Sequence, residues 1–113
     1  MYHEIIIQTE NIDVSRYFYR EILQIGEVVL DSNHCVVFKL DDSSLLVLES
    51  CQVKYLEHAS GAVHLAFECN DVPELAQRLK KEAVPLSDSF ERMGKICYRG
   101  SDPDGNAFIV IQA

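Results

Sequence analysis

The sequence predicts an α+β protein built from two tandem βαβββ modules. Short apolar strands and one amphipathic helix follow each other in the same order twice along the 113 residues. Setting residue i against residue i+60 places Glu4 on His64 and Asn11 on Asp71, so both helix starts coincide. Because one module cannot cover both faces of its sheet, we expect the two modules to form a curved mixed sheet with the helices on the outer face and a concave pocket.

Length and composition are typical of a single domain covering residues 1–113, with module 1 at about 1–51, a connector at 52–61 and module 2 at about 62–113. The sequence shows neither a signal region nor a membrane-spanning apolar run, so we expect a soluble, cytoplasmic protein. A net charge of −8 argues against nucleic acid as a partner and permits a cationic ligand. Four cysteines without CxxC spacing are expected to be reduced packing residues.

Module 1 begins with a short strand at residues 4–8. Asn11 or Asp13 then caps a helix that runs to about Leu23 with apolar residues at helical spacing, and Gly26 stops it. Three short strands bounded by turn residues follow, at 27–30, 35–40 and 45–49.

Module 2 repeats this order after the polar connector. A strand at 63–68 leads into a helix at 71–82, which has Pro73 in its first turn. Asp102 to Gly105 predict a turn, because Pro103 presets φ and Gly105 can adopt positive φ, and the apolar run at 107–111 predicts a final buried strand after it. The remaining predicted elements are short strands at 84–86, 95–100 and 107–111, and a pocket-rim hairpin at 87–94.

Side-chain alternation predicts which strand residues face the concave pocket. Glu4, Ile6 and Gln8 share one face of the first strand, and the equivalent strand of module 2 presents its residues in the same way. Aligning the closing strands by their turns matches Val47 with Ile109. The predicted pocket residues are Glu4, Ile6, Gln8, Val47, Glu49, His64, Ala66, Glu68, Ile109 and Ile111. In a second interpretation Glu4 and Glu68 are rim carboxylates, or pair with Lys95 or Arg99.

Three separated motifs occur in a recognisable order. The first helix carries Phe18-Tyr19 and ends in Leu23-Gln24-Ile25-Gly26, module 2 opens with VHLAF at 63–67, and DPDG at 102–105 precedes the last strand. Together they resemble the vicinal oxygen chelate superfamily, which contains glyoxalases, bleomycin-resistance proteins and extradiol dioxygenases. The resemblance spans the whole chain and implies the same fold and a homodimer.

The resemblance also implies four metal positions, which fall at Glu4, near Val47 or Glu49, at His64 and at Ile109. Metal-dependent members carry a glutamate at the fourth position, where this chain has isoleucine. Glu4, His64 and Glu49 would supply the three protein ligands that a catalytic divalent ion needs. His64 has an alternative role as a strand residue that lines an organic-ligand pocket. We therefore expect no cofactor, with a divalent metal as the alternative.

Two functions of different class remain. The first is a small-molecule-binding protein that resembles the metal-free bleomycin-resistance members and holds a hydrophobic or cationic ligand in the concave pocket. The second is a metal-dependent, glyoxalase-like lyase or isomerase with an unusual ligand set, in which the ion would hold two vicinal substrate oxygens. Isoleucine at position 109 favours the first, and no motif identifies a catalytic residue. In a third interpretation the acidic dimer regulates a protein partner.

Overall fold

A computed structural model of the chain describes residues 3–50 and 64–113. The chain forms two compact units, Met1–Ala59 and Ser60–Ala113, which we call modules 1 and 2. Module 1 contains β1 (His3–Thr9), α1 (Ile12–Tyr17), β2 (Glu27–Asp31), β3 (Cys35–Asp41) and β4 (Ser44–Ser50). Module 2 contains β5 (Leu65–Cys69), α2 (Val72–Lys81), β6 (Phe90–Arg92), β7 (Lys95–Ser101) and β8 (Ala107–Gln112). The predicted βαβββ order is confirmed in both modules, while Val63 and the connector lie outside the described residues.

Each module is a four-stranded mixed sheet with one helix on one face. In module 1 the strand order is β1-β4-β3-β2, with β1 parallel to β4 and the other pairs antiparallel. Module 2 repeats the pattern as β5-β8-β7-β6. Within the described residues, the other face of each sheet carries no helix of its own module, and we call it the helix-free face.

The helix-bearing face of module 1 holds its apolar core. Thr9 and Ser15 are buried there and share a hydrogen bond of 2.5 Å between their hydroxyl oxygens, which ties β1 to α1. Such a bond satisfies two polar groups that would otherwise be costly to bury. The fully buried apolar residues of this sheet are Val36, Phe38, Leu46 and Leu48.

Helix α1 begins at the Asn11 cap, whose side-chain oxygen accepts a hydrogen bond from the Val14 N–H. Asp13, the alternative cap in the sequence, instead pairs with Arg16 at 2.6 Å. The helix continues through a π-helical turn over Phe18–Ile22, in which the Leu23 N–H donates to the Phe18 carbonyl. The predicted end near Leu23 is therefore confirmed, although the last turn is wider than an α-helix.

Helix α2 covers the matching face of module 2. Asp71 caps it by accepting from the Glu74 N–H, and Pro73 lies in its first turn as predicted. The Gln112 side chain accepts from the Val72 N–H at 2.9 Å and donates to the Asn70 carbonyl at 2.6 Å, joining β8 to the helix start. Burial beneath α2 raises the pKa of the Cys69 thiol, which favours its neutral form.

The predicted strand at 84–86 is wrong. Leu86 makes only an isolated bridge to Gly100, and the strand that pairs with β7 is β6, inside the segment predicted as a hairpin rim. The Val84 N–H instead donates to the Leu79 carbonyl and closes the end of α2. Pro85 has no N–H to offer to a strand ladder.

Neither α1 nor α2, the helices of the described ranges, has the length and apolar run needed to cross a membrane.

Candidate functional site

The strand register of module 1 arranges its helix-free face in three rows of side chains. Glu4 lies beside Leu45, Ile6 beside Val47, and Gln8 beside Glu49. Pairing with β3 and β2 extends the middle row through Val37 and Leu30, so that row is apolar throughout. The outer rows are Glu4, Leu45, Lys39 and Glu27 on one side, and Gln8, Glu49 and Cys35 on the other.

The apolar row is accessible at its two ends. Ile6 is 53% exposed and Leu30 is 48% exposed, whereas Val47 between them is buried. A row across four strands spans about 14 Å at the usual strand spacing, which is the length of a small organic molecule. An exposed apolar strip with polar groups on both sides is typical of a surface that binds another molecule.

The helix-free face of module 2 repeats this register with different chemistry. Ala66 lies beside Ile109, and Ile109 lies beside Arg99 on β7. The next row contains Glu68, Ile111, Cys97 and Phe90. Val47 and Ile109 therefore occupy equivalent places, as the alignment of the closing turns predicts.

His64 and Glu68 lie at opposite ends of β5. His64 is exposed and immediately precedes the strand. Glu68 pairs with Lys95, with 3.5 Å between Oε1 and Nζ, so one of the ion pairs anticipated from the sequence is present. Because both side chains are about half exposed, this pair contributes little to stability.

The residues implied as metal ligands by the family resemblance do not fit one ion within either module. Glu4 lies beside Leu45 on β4, and Glu49 lies four residues further along the same strand, beside Gln8. The two glutamates are therefore about 13 Å apart at the usual rise per strand residue. The row of Ile6 and Val47 stands between them. In module 2 the fourth position is Ile109, which is 6% exposed and has no ligand atom.

The same holds across the described ranges. No three His, Cys, Asp or Glu side chains within 3–50 and 64–113 form a group that could hold a metal ion. We therefore assign no reaction step that depends on a metal ion. The assignment of the other predicted residues to a ligand pocket stays a prediction.

Sequence reasoning considered Arg99 only as an ion-pair partner and did not place Phe90 in the site. The guanidinium carbon of Arg99 lies 5.2 Å from the centroid of the Phe90 ring, within the range of a cation–π contact. Side-chain alternation predicts that Ile109 faces the pocket. The same alternation, applied across the β7–β8 hairpin, would have placed Arg99 on that face beside Ile109.

A separate groove of about 950 Å³ lies on the helix-bearing face of module 2. It runs between α2 and residues 83–89, and it includes Ser87 to Ser89 of the predicted pocket rim. Tyr98 lines this groove and alternates with Arg99, so the groove and the helix-free face are on opposite sides of the sheet. Its other lining residues include Pro73, Ala76, Lys80, Val84 and Leu86.

Two βαβββ modules with this strand order define a class of small α+β proteins. The comparison with protein families identifies the superfamily within this class. The model of the Glyoxalase/Bleomycin resistance protein/Dioxygenase superfamily matches residues 2–110. The chain belongs to this superfamily. A comparison with curated protein sequences finds no significant match.

Similar solved structures include both enzyme-like and ligand-binding proteins. A putative glyoxalase from Bacillus halodurans has a TM-score of 0.82 at 18% identity, covering 100% of this chain and 96% of that one. A lactoylglutathione lyase from Agrobacterium tumefaciens has a TM-score of 0.72 at 20% identity, covering 100% and 93%. The antibiotic-binding protein TnmS3 from Streptomyces sp. CB03234 has a TM-score of 0.73 at 18% identity, covering 99% and 96%. At these identities the likeness shows the fold alone.

Proposed function

We propose that the chain binds a small organic molecule without a metal ion, and that the apolar part of this molecule lies on the helix-free face of module 1. The observation that carries the proposal is the apolar row of Ile6, Val47, Val37 and Leu30 between two polar rows, with exposed side chains at both of its ends. Burial of this strip by a ligand would supply the hydrophobic part of the binding free energy. The antibiotic-binding relative supports the proposal only as a precedent on the same fold.

The polar rows favour a ligand that carries a cationic group. Glu4, Glu27 and Glu49 outnumber Lys39 on this face, and Lys39 itself pairs with Asp42 at 3.5 Å. Gln8, in the same row as Glu49, offers both a donor and an acceptor. A positive group on the ligand would therefore meet carboxylates at either edge of the apolar row.

The metal-dependent lyase or isomerase is the less favoured function. It needs at least three protein ligands around one ion, and the separation of Glu4 from Glu49 together with Ile109 opposes such a set. We assign no catalytic residue.

The proposal is tested by an NMR titration of the ¹⁵N-labelled full chain with benzamidine, an aromatic cation, and with benzamide, its neutral counterpart. We expect benzamidine to shift the amide signals of Ile6, Gln8 and Val47, and to bind more tightly than benzamide. The Ile6→Ser variant should weaken benzamidine binding about tenfold, because one large apolar contact is lost.

Val14→Ser is the matched control for that variant. Val14 is 47% exposed, much like Ile6, but it lies on α1 rather than on the helix-free face. We expect this control to bind benzamidine as the parent does. An equal loss of binding in both variants, or no shifts on β1 and β4 with either compound, would contradict the proposed function.

A further inference from the structure

Arg99 stands at the centre of the helix-free face of module 2, in a position where the equivalent residue of module 1 is apolar. Arg99 lies beside Ile109 on β8, just as Val37 lies beside Val47 on β4. The sheet therefore accepts a β-branched residue at this place, which strands generally favour. Packing alone gives no reason for an arginine here.

The arginine is held in a defined place. Its backbone N–H donates to the Ser87 hydroxyl at 3.0 Å, and its carbonyl accepts from the Ser87 N–H at 2.8 Å. Its guanidinium lies over the ring of Phe90, which shares its face of the sheet. A cation fixed over an aromatic ring loses less side-chain freedom when it binds a ligand than a mobile one would.

The charge of this cation is not neutralised within the part of the chain that the structure describes. Lys95 pairs with Glu68, but no carboxylate of the described residues forms an ion pair with Arg99. The side chains beside Arg99 in its row are Ala66 and Ile109, which have no acceptor atom. No described residue accepts a side-chain hydrogen bond from Arg99, so the donors of the exposed guanidinium can be offered to a ligand.

The surrounding charges reinforce this cation. Arg92 and Lys95 lie beside each other in the β6–β7 hairpin, on the same face as Arg99. In the two rows that contain Ala66 and Glu68 on this face, Glu68 is the acidic residue. This face thus has a positive balance although the whole chain carries a net charge of −8. A local field of this sign attracts an anionic group.

We propose that Arg99 binds the carboxylate of a small organic ligand on the helix-free face of module 2, beside the position where the family resemblance implies a metal ligand. The proposal rests on the proposed small-molecule function and adds a second ligand class, an organic acid, to the cationic class that the helix-free face of module 1 favours. The planar guanidinium matches a carboxylate with two parallel N–H to oxygen bonds, and Ala66 and Ile109 provide the apolar floor next to it. The guanidinium of Arg99 thus provides a fixed positive charge that a ligand carboxylate can bind.

The test is a second NMR titration of the ¹⁵N-labelled full chain, with benzoate as the anionic probe and benzamide as its neutral counterpart. We expect benzoate to shift the amide signals of Ala66, Arg99 and Ile109. Arg99→Gln should raise the dissociation constant for benzoate roughly ten- to a hundredfold, as expected when a charge-assisted hydrogen bond is removed. Phe90→Leu should give a smaller loss, because the guanidinium remains but its ring contact does not.

Lys80→Gln is the matched control. Lys80 is also a cation, but it lines the groove on the opposite side of the same sheet. We expect this control to bind benzoate as the parent does. A dissociation constant that is unchanged in Arg99→Gln, or one that rises equally in Lys80→Gln, would overturn the assignment.

The two proposals fail in different ways. If benzamidine shifts β1 and β4 while benzoate leaves β5, β7 and β8 unshifted, the binding function stands and the role of Arg99 is overturned. If neither probe shifts residues of either helix-free face, both proposals are overturned together.

Discussion

At Gly26 the backbone leaves the first helix with a φ of +43°, and a side chain has no room there. A Cβ added at this position would overlap the carbonyl oxygen of Lys39 on β3. Both the left-handed φ and the overlap with a fixed backbone atom would destabilise a substituted residue. We expect Gly26→Ala to lower the free energy of unfolding by about 3 kcal/mol or more, measured by chemical denaturation.

Gly94 provides the control for this prediction. Its φ is +77°, but nothing lies within 4 Å of an added Cβ. Gly94→Ala should therefore cost only the conformational strain, about 1 kcal/mol. Similar losses in the two variants would show that the approach to Lys39 is not what requires glycine at position 26.

The closing turn shows what local sequence can specify at the residue scale. The sequence predicts that aspartates cap this turn, and the Asp102 carboxylate accepts from the Asp104 and Asn106 N–H groups at 2.9 and 2.8 Å. Gly105 has a φ of +87°, as the turn requires. The sequence does not choose between Asn11 and Asp13 as the cap of α1, because either side chain suits that role. The choice depends on Arg16, which bonds both Asp13 and the distant Asp31.

At the scale of elements, the β6–β7 hairpin turns through Met93 and Gly94, both with positive φ. This is the conformation of a two-residue turn that prefers asparagine followed by glycine. Met93 is 92% exposed, so its side chain adds little packing in return. We expect Met93→Asn to raise the free energy of unfolding by up to about 1 kcal/mol, measured by thermal and chemical denaturation.

Met93→Ile is the comparison that makes this prediction specific. A β-branched residue is least compatible with positive φ, so this variant should be less stable than the parent. The turn assignment would be contradicted if isoleucine were tolerated as well as asparagine.

Most elements were predictable because each has a local signal, but the signal at 84–86 was misleading and the π-helical turn has none. Apolar alternation and turn residues bound the strands, and caps mark both helix starts. The predicted strand at 84–86 failed because its apolar residues compete with the closure of α2, where the Val84 N–H is used. The π-helical turn over Phe18–Ile22 also lacks a local signal, since it depends on where Phe18 and Tyr19 pack in the core.

For the whole molecule, the question is whether the chain carries a metal ion. We expect protein purified without chelator or affinity tag to contain far less than one metal ion per chain by plasma mass spectrometry. The reason is the separation of Glu4 from Glu49 and the apolar residue at position 109. The His64→Ala variant should give the same metal content as the parent.

A metal ion bound near stoichiometrically in the parent and lost in His64→Ala would contradict this expectation. It would make the lyase or isomerase the favoured function, with His64 as a ligand.

The duplication was evident from the sequence, and so were the strand faces that follow from it. What could not be read was the neighbour of each residue across the sheet, because register depends on pairing between distant strands. Arg99 is different, because β7 and β8 are consecutive strands joined by the predicted turn, and the register of that hairpin would have placed it beside Ile109. The single-domain arrangement, the homodimer and the compartment stay predictions.

Val37 and Arg99 occupy equivalent positions in the two modules, which bears on how such a protein can evolve. After a duplication, two copies of one strand position exist, and each can mutate while the other keeps its original residue. Because Val37 is only half-buried and lies on the helix-free face, we expect an exchange to a charged side chain there to leave the fully buried residues of the opposite face in place. The fold can thus acquire a new ligand preference through a single codon, and Val37→Arg would be the simplest route to a second anion-binding face.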